Sequence, residues 1–144
     1  MITASRVLLA LTIGLLLALV APAVAAAPDR AWRGIGGVYN GPITVYGYGT
    51  TKVKVVSTPQ CDKDHLKTIA IGKVSKLGRF KITTATLKSA KYTPEDVVVE
   101  GRVTKAKVTG SFNVRYARTG PGAPSCSYGP DPFVAKRLTS VPKG

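Results

Sequence analysis

The tract Cys61-Asp62-Lys63-Asp64-His65 gathers most of what this chain offers for chemistry. His65 is the single histidine, so a general acid–base step near neutral pH would fall to it. No nucleophile accompanies it, because the chain has no Gly-x-Ser-x-Gly turn. Asp62, Asp64 and His65 are oxygen and nitrogen donors for a divalent ion. Lys63 puts a positive charge between them, however, and no His-x-x-x-His or EF-hand spacing supports a site. Glu95, Asp96 and Glu100 are further acids for paired-carboxylate glycoside chemistry. Glu95 and Asp96 are adjacent and would point apart on a strand. A short helical turn at Pro94-Glu95-Asp96, capped by Thr93, explains them better. Gly34-Ile35-Gly36-Gly37 lacks the Lys-Ser/Thr of a phosphate loop. The sequence therefore assigns no catalytic residue, no metal ligand and no cofactor.

The two cysteines, Cys61 and Cys126, have another use. Residues Met1–Ala25 read as a secretory signal peptide. Arg6 supplies the positive start, Val7 to Val20 the apolar run, Pro22 a helix break, and Ala23-Val24-Ala25 the small residues before a cut. The apolar run is shorter than the roughly 20 residues that span a bilayer. The mature chain, residues 26–144, has no such run, so it is expected to hold no transmembrane helix. An exported protein folds under oxidising conditions, where a lone cysteine pair forms a disulfide. Closing a loop of about 65 residues would contribute roughly 4 kcal/mol in the chain-entropy model.

The remaining elements must be strands. From Ala106 to Tyr116, Ala106, Val108, Gly110, Phe112, Val114 and Tyr116 share one parity, and polar residues hold the other. This period of two marks a strand with one buried face. Val97–Val103 precedes it and forms a hairpin with it. Ile43–Tyr48, Lys52–Val56, Leu66–Ile71, Arg79–Thr83 and Phe133–Leu138 are further strands, separated by Gly and Pro turn signals. Gly120–Pro132, with its four prolines and three glycines, reads as a loop. The pattern predicts one all-β domain: an antiparallel β-sandwich or small barrel of seven to eight strands with one disulfide.

Charge is the strongest compositional signal. The chain carries 21 Lys and Arg against 7 Asp and Glu, a formal charge of +14 on 144 residues. Removing the leader, with its one Arg and no acid, lowers this only to +13. Solubility of a small domain needs about 2–8 charges. Lys52, Lys54, Arg79, Lys81, Lys105, Lys107 and Arg115 fall on the polar parity of their segments, so the strands should present a cationic outer layer. Such a layer suits an anionic cell-envelope polymer or glycan. Nucleic acid is a less favoured partner for an exported chain. Tyr46 and Tyr48 share a parity and would flank the basic face, where aromatics suit stacking. Trp32 is expected to tack the first segment onto the sheet.

The order Val108, Gly110, Phe112, Val114, then Cys126, then Phe133, Ala135 and Arg137, with Cys61 upstream, resembles small exported bacterial β-domains of uncharacterised function with one Cys pair. The resemblance spans Lys52 to Leu138 and implies an exported, disulfide-tied β-domain with no transferable activity. The expectation is thus a secreted, basic, non-catalytic β-domain that engages anionic envelope polymers or surfaces. A small secreted enzyme or enzyme inhibitor using His65 and Asp64 or a loop near Cys126, and a barrel holding a small apolar ligand, are the alternatives.

Overall fold

The computed structural model describes residues 25–36 and 41–143. The leader assigned to Met1–Ala25 lies, apart from Ala25, outside the described residues. Eleven strands and no helix occur among the described residues. They are β1 (Arg30–Gly36), β2 (Pro42–Tyr48), β3 (Lys52–Ser57), β4 (Gln60–Cys61), β5 (Asp64–His65), β6 (Thr68–Lys73), β7 (Arg79–Ile82), β8 (Thr86–Leu87), β9 (Tyr92–Val103), β10 (Lys107–Arg118) and β11 (Cys126–Arg137). Nine form one antiparallel sheet in the order β7-β9-β10-β11-β1-β2-β3-β6-β8, while β4 and β5 pair with each other. The all-β architecture follows from the alternation. Val108, Phe112, Val114 and Tyr116 of β10 are all buried, as their shared parity requires.

Strands exceed the seven or eight expected for two reasons. β1 contains Arg33, Gly34 and Gly36, which blur its pattern, and β4, β5 and β8 are two-residue pairings too short to leave one. Gly120–Pro132 is also not wholly a loop, since β11 begins at Cys126. Phe112 pairs with Asp131 and Val114 with Tyr128, so Gly129 and Pro130 bulge opposite Asn113. A bulge is where a strand tolerates a residue that cannot donate to the ladder. Likewise Pro94-Glu95-Asp96 is no helical turn. Arg115 pairs with Glu95 and Asn113 with Val98, leaving an irregularity at Asp96, whose φ is 47°.

The inward side chains of β1, β2, β3, β6, β7, β9, β10 and β11 belong to one core cluster, with Trp32, Val45, Val55, Val99, Val108 and Tyr116 fully buried. One close approach shapes this core. Gly101 of β9 faces Gly110 of β10, and a Cβ on either would meet a ring atom of Phe80 at 2.9 Å or of Phe133 at 3.0 Å. Two aromatic rings thus lie where two side chains would be. At the far side of the sheet, Ile82 of β7 rests on Gly72 of β6, although these strands are not paired.

Cys61 and Cys126 form the expected disulfide, with Cα atoms 5.9 Å apart and 65 residues between them in sequence. It ties the β3–β6 connection to the start of β11. Beside it in the core, the Tyr116 hydroxyl is hydrogen-bonded to that of Thr68, which also donates to the Leu66 carbonyl at 3.0 Å. Burial raises the Tyr116 pKa to about 12, outweighing the opposing hydrogen bond to Thr68, while the nearby Tyr128 adds to the rise.

Two outcomes follow for stability. Replacing both Cys61 and Cys126 with Ala should cost about 2–4 kcal/mol in guanidinium unfolding, a large share of a typical 5–15 kcal/mol. A loss below ~1 kcal/mol would show the link to be incidental. Tyr116 holds its proton in the folded state well above the pH at which an unfolded tyrosine loses it. Its contribution is therefore full below pH 10 and falls as pH rises toward about 12. Thermal melts should show Tm falling over that window, by an amount worth roughly 2–3 kcal/mol, and Tyr116→Phe should flatten the fall.

Candidate functional site

The strand order sorts the connections into two ends. At one end lie the β2–β3, β6–β7 and β9–β10 turns, the start of β1 and the finish of β11. Backbone hydrogen bonds bind these pieces together: Val74 to the Thr51 carbonyl and Val103 to that of Gly78, each 2.8 Å, and Leu138 to that of Ala31, 2.9 Å. The longer connections and the disulfide occupy the opposite end, where Thr119 donates to the Lys91 carbonyl at 2.8 Å.

Charge follows the same division. The turn end holds Arg30, Lys52, Lys73 and Arg79, then Arg102, Lys105 and Lys107 around the β9–β10 turn, and Lys136 and Arg137 at the finish of β11. Asp29 is the single carboxylate among these termini and turns, bridged to Arg30 at 3.4 Å. The disulfide end holds Asp62, Asp64, Glu95 and Asp96 among Lys63, Lys67, Lys88, Lys91, Arg115 and Arg118, and two of these cations are paired. Lys91 lies 3.5 Å from Asp64, and Arg115 lies 2.6 Å from Glu95 and 2.8 Å from Asp96. The β9 irregularity is what brings both neighbouring acids onto one guanidinium. Their grip raises the Arg115 pKa above its ordinary value, first through the hydrogen bond to Asp96 and then through the charge of Glu95.

Register sharpens the contrast. Arg79 is directly opposite Arg102, Lys52 opposite Lys73, and Lys107, Lys136 and Arg33 stand in one row across β10, β11 and β1. Like charges facing across a strand pair are destabilising. None of these seven side chains makes an ion pair among the described residues. Lys81, two register positions from the Arg79–Arg102 pair, has an acid, Glu100, at 3.9 Å.

A groove of about 870 Å³ opens on the outer face of β7, β9 and β10. Lys73, Arg79, Lys81 and Arg102 line it together with the carboxylate of Glu100, which Lys81 faces, and Thr109 and Ser111 add hydroxyls. It offers an extended anion both fixed charge and hydrogen-bond donors. Of the seven cations expected on the outer layer, the structure brings Lys52, Arg79, Lys105 and Lys107 to the turn end and Lys81 into the groove. Lys54 stands over the Tyr46 ring at 4.5 Å, as Lys52 stands over Tyr48 at 4.6 Å. Tyr46 is only 6% exposed, so the lysine stems cover the rings rather than leaving an open stacking face. Arg115 lies apart, held by its two acids. Trp32 is a core residue of β1, not merely a tether.

Sequence reasoning missed Lys73, Arg102 and Lys136. Arg102 follows the parity of Glu100 and could have been found by extending the alternation of β9. The gathering of charge at one end needs the strand order and leaves no local signal. His65 is exposed on β5, and Asp64 pairs with Lys91 rather than orienting it. No group of three or more His, Cys, Asp or Glu that could hold a metal ion occurs among the described residues. No helix of the described residues is long and apolar enough to cross a membrane. Comparison of the chain with family models, with curated proteins and with solved structures finds no match.

The Arg79–Arg102 row yields an expected outcome. Arg102→Glu turns a repulsive pair into an attractive one and should raise stability by ~0.2–1 kcal/mol, measured by chemical unfolding at low salt. The gain should shrink at high salt, where exposed charges are screened. A loss of stability would show that the guanidinium is held by contacts other than charge.

Proposed function

We propose that this domain is exported and binds anionic cell-envelope polymers without catalysis, through the cationic turn end and the adjoining groove. One observation carries the reading: cations sit opposite cations at one end, with Asp29 the single acid among its termini and turns, while four acids lie among the cations of the other and pair with Lys91 and Arg115. A surface serving solubility alone intersperses the two signs. Unpaired rows of like charge cost stability and repay it only when an anion neutralises them. The disulfide accords with export into an oxidising compartment. The approach of β6 and β7 accords with a curled sheet near to a small barrel, which turns the groove and the turns toward a common side.

The reading predicts retention on heparin or polyphosphate resin that falls steeply with salt, because each neutralised phosphate or sulfate releases a counterion. Two variants of equal net charge separate position from bulk charge. Lys73→Glu/Arg102→Glu should elute at much lower salt than the wild-type chain. Lys63→Glu/Lys67→Glu, at the disulfide end, should elute close to wild type. Equal shifts for both variants, or retention indifferent to salt, would sink the proposal.

A further inference from the structure

A second surface lies on the outer face of β11, β1 and β2, beside the groove. Ile35 of β1 is 61% exposed and Val134 of β11 is 51% exposed. The two are directly opposite each other in register. Ile35 also faces Pro42 of β2, and Pro132 precedes Val134 on the same parity of β11; both prolines are exposed. Phe133 and Ala135 are buried between these positions and fix which face is outward. Single exposed apolar side chains are ordinary, but a contiguous group marks a surface that meets an apolar partner. The sheet itself does not require it, since threonine suits an outward strand position equally well.

The border of the patch indicates what covers it. Lys107, Lys136 and Arg33 run across the same face, on the side nearer the turn end. All three are exposed, and none makes an ion pair among the described residues. Thr109 stands opposite Val134 and Ser111 opposite Pro132, so hydroxyls close the side toward the groove. The acid of this row, Glu100, lies beyond Ser111 on β9 and is bridged to Lys81. A second copy of the chain seated here would bring its own cation row to the same interface. A hydrated glycan or phosphate polymer would satisfy the cations but gain nothing from isoleucine and valine. An anionic bilayer answers both, with phosphates at the level of the cations and acyl chains just beneath for the apolar side chains.

We infer that this face docks on an anionic lipid surface, with Ile35 and Val134 entering between the headgroups and Arg33, Lys107 and Lys136 resting on lipid phosphates. The contact lies on the membrane and does not cross it. The inference goes beyond polymer binding, because it rests on an apolar pair that a polymer does not use.

The test is sedimentation of the chain from residue 26 onward with lipid vesicles. All eleven strands and the whole core cluster lie in that part, and its use leaves out the apolar run Val7 to Val20, which would enter a bilayer by itself. Vesicles of phosphatidylcholine and phosphatidylglycerol in about equal parts should carry the protein down, and pure phosphatidylcholine should not. Ile35→Thr/Val134→Thr keeps every charge and suits a strand; it should weaken vesicle binding about tenfold. Arg33→Gln/Lys136→Gln should weaken it roughly 25-fold, at about fivefold per cation. Leu77→Thr, in the β6–β7 turn where the leucine is 68% exposed, should change nothing.

Absence of binding to the mixed vesicles, or equal binding by the wild-type chain and Ile35→Thr/Val134→Thr, overturns the inference. So does loss of binding in Leu77→Thr alone, which assigns the contact to the turn tip. Sedimentation equilibrium without lipid should show a monomer; a dimer that Ile35→Thr/Val134→Thr dissociates gives the face to a second copy and overturns the inference too. Failure here is separable from failure of the polymer reading, because Ile35→Thr/Val134→Thr should elute from heparin resin together with the wild-type chain. Salt-sensitive retention without vesicle binding leaves the polymer reading alone. Vesicle binding through the apolar pair, with retention indifferent to salt, leaves the lipid contact alone.

Discussion

The facing of Gly101 by Gly110 is the constraint from which the rest of the architecture proceeds. Two strands that lack side chains at one cross-strand position approach closely there, and the Phe80 and Phe133 rings fill the vacated space from within. Aromatic rings over strand glycines restore buried area that the glycines give up, while leaving the backbone free to bend. A flat arrangement of nine strands could not bury one face in a single cluster. At the other side of the core Ile82 of β7 settles on Gly72 of β6, and the inward side chains meet as one cluster. Both Gly101 and Gly110 also line the groove.

Given that core, the ends of the molecule diverge. At the disulfide end, a covalent link and the clasp of Arg115 by Glu95 and Asp96 hold long connections in place. Exposed ion pairs contribute little individually, so the covalent link is the principal tie there. At the turn end the connections are short and held by backbone hydrogen bonds, which need no help from side-chain charge. That end can carry mutually repelling lysines and arginines because nothing in its backbone depends on pairing them. The same independence leaves their side chains available to an external anion.

The parts of this structure legible in the sequence are those written in local alternation. β10 was readable because every second residue from Val108 to Tyr116 is apolar or Gly, and the cysteine pair because nothing else in the chain competes for it. β1 was not readable: Arg33 and the two glycines interrupt its pattern, and its place between β11 and β2 comes from register alone. The start of β11 was masked by prolines that the bulge opposite Asn113 accommodates. Parity put Lys52, Arg79 and Lys107 on the outside, but parity has no information on which end of a strand meets which. For the same reason Arg115 looked like the other outward cations until the β9 irregularity delivered two acids to it. The meeting of Ile35 with Val134 across β1 and β11 is a tertiary fact with no trace in the order of residues.

An excess of positive charge at one end of the strands, with most of the acids toward the other, makes the molecule an electric dipole as well as a polycation. In the field of a negatively charged wall such a body feels a torque before it touches anything. It would turn its turn end forward and keep its disulfide end behind. Orientation of this kind acts on the rate of productive encounter more than on the strength of the final contact. Two variants with equal total charge but opposite placement would then differ first in how quickly they settle on a surface.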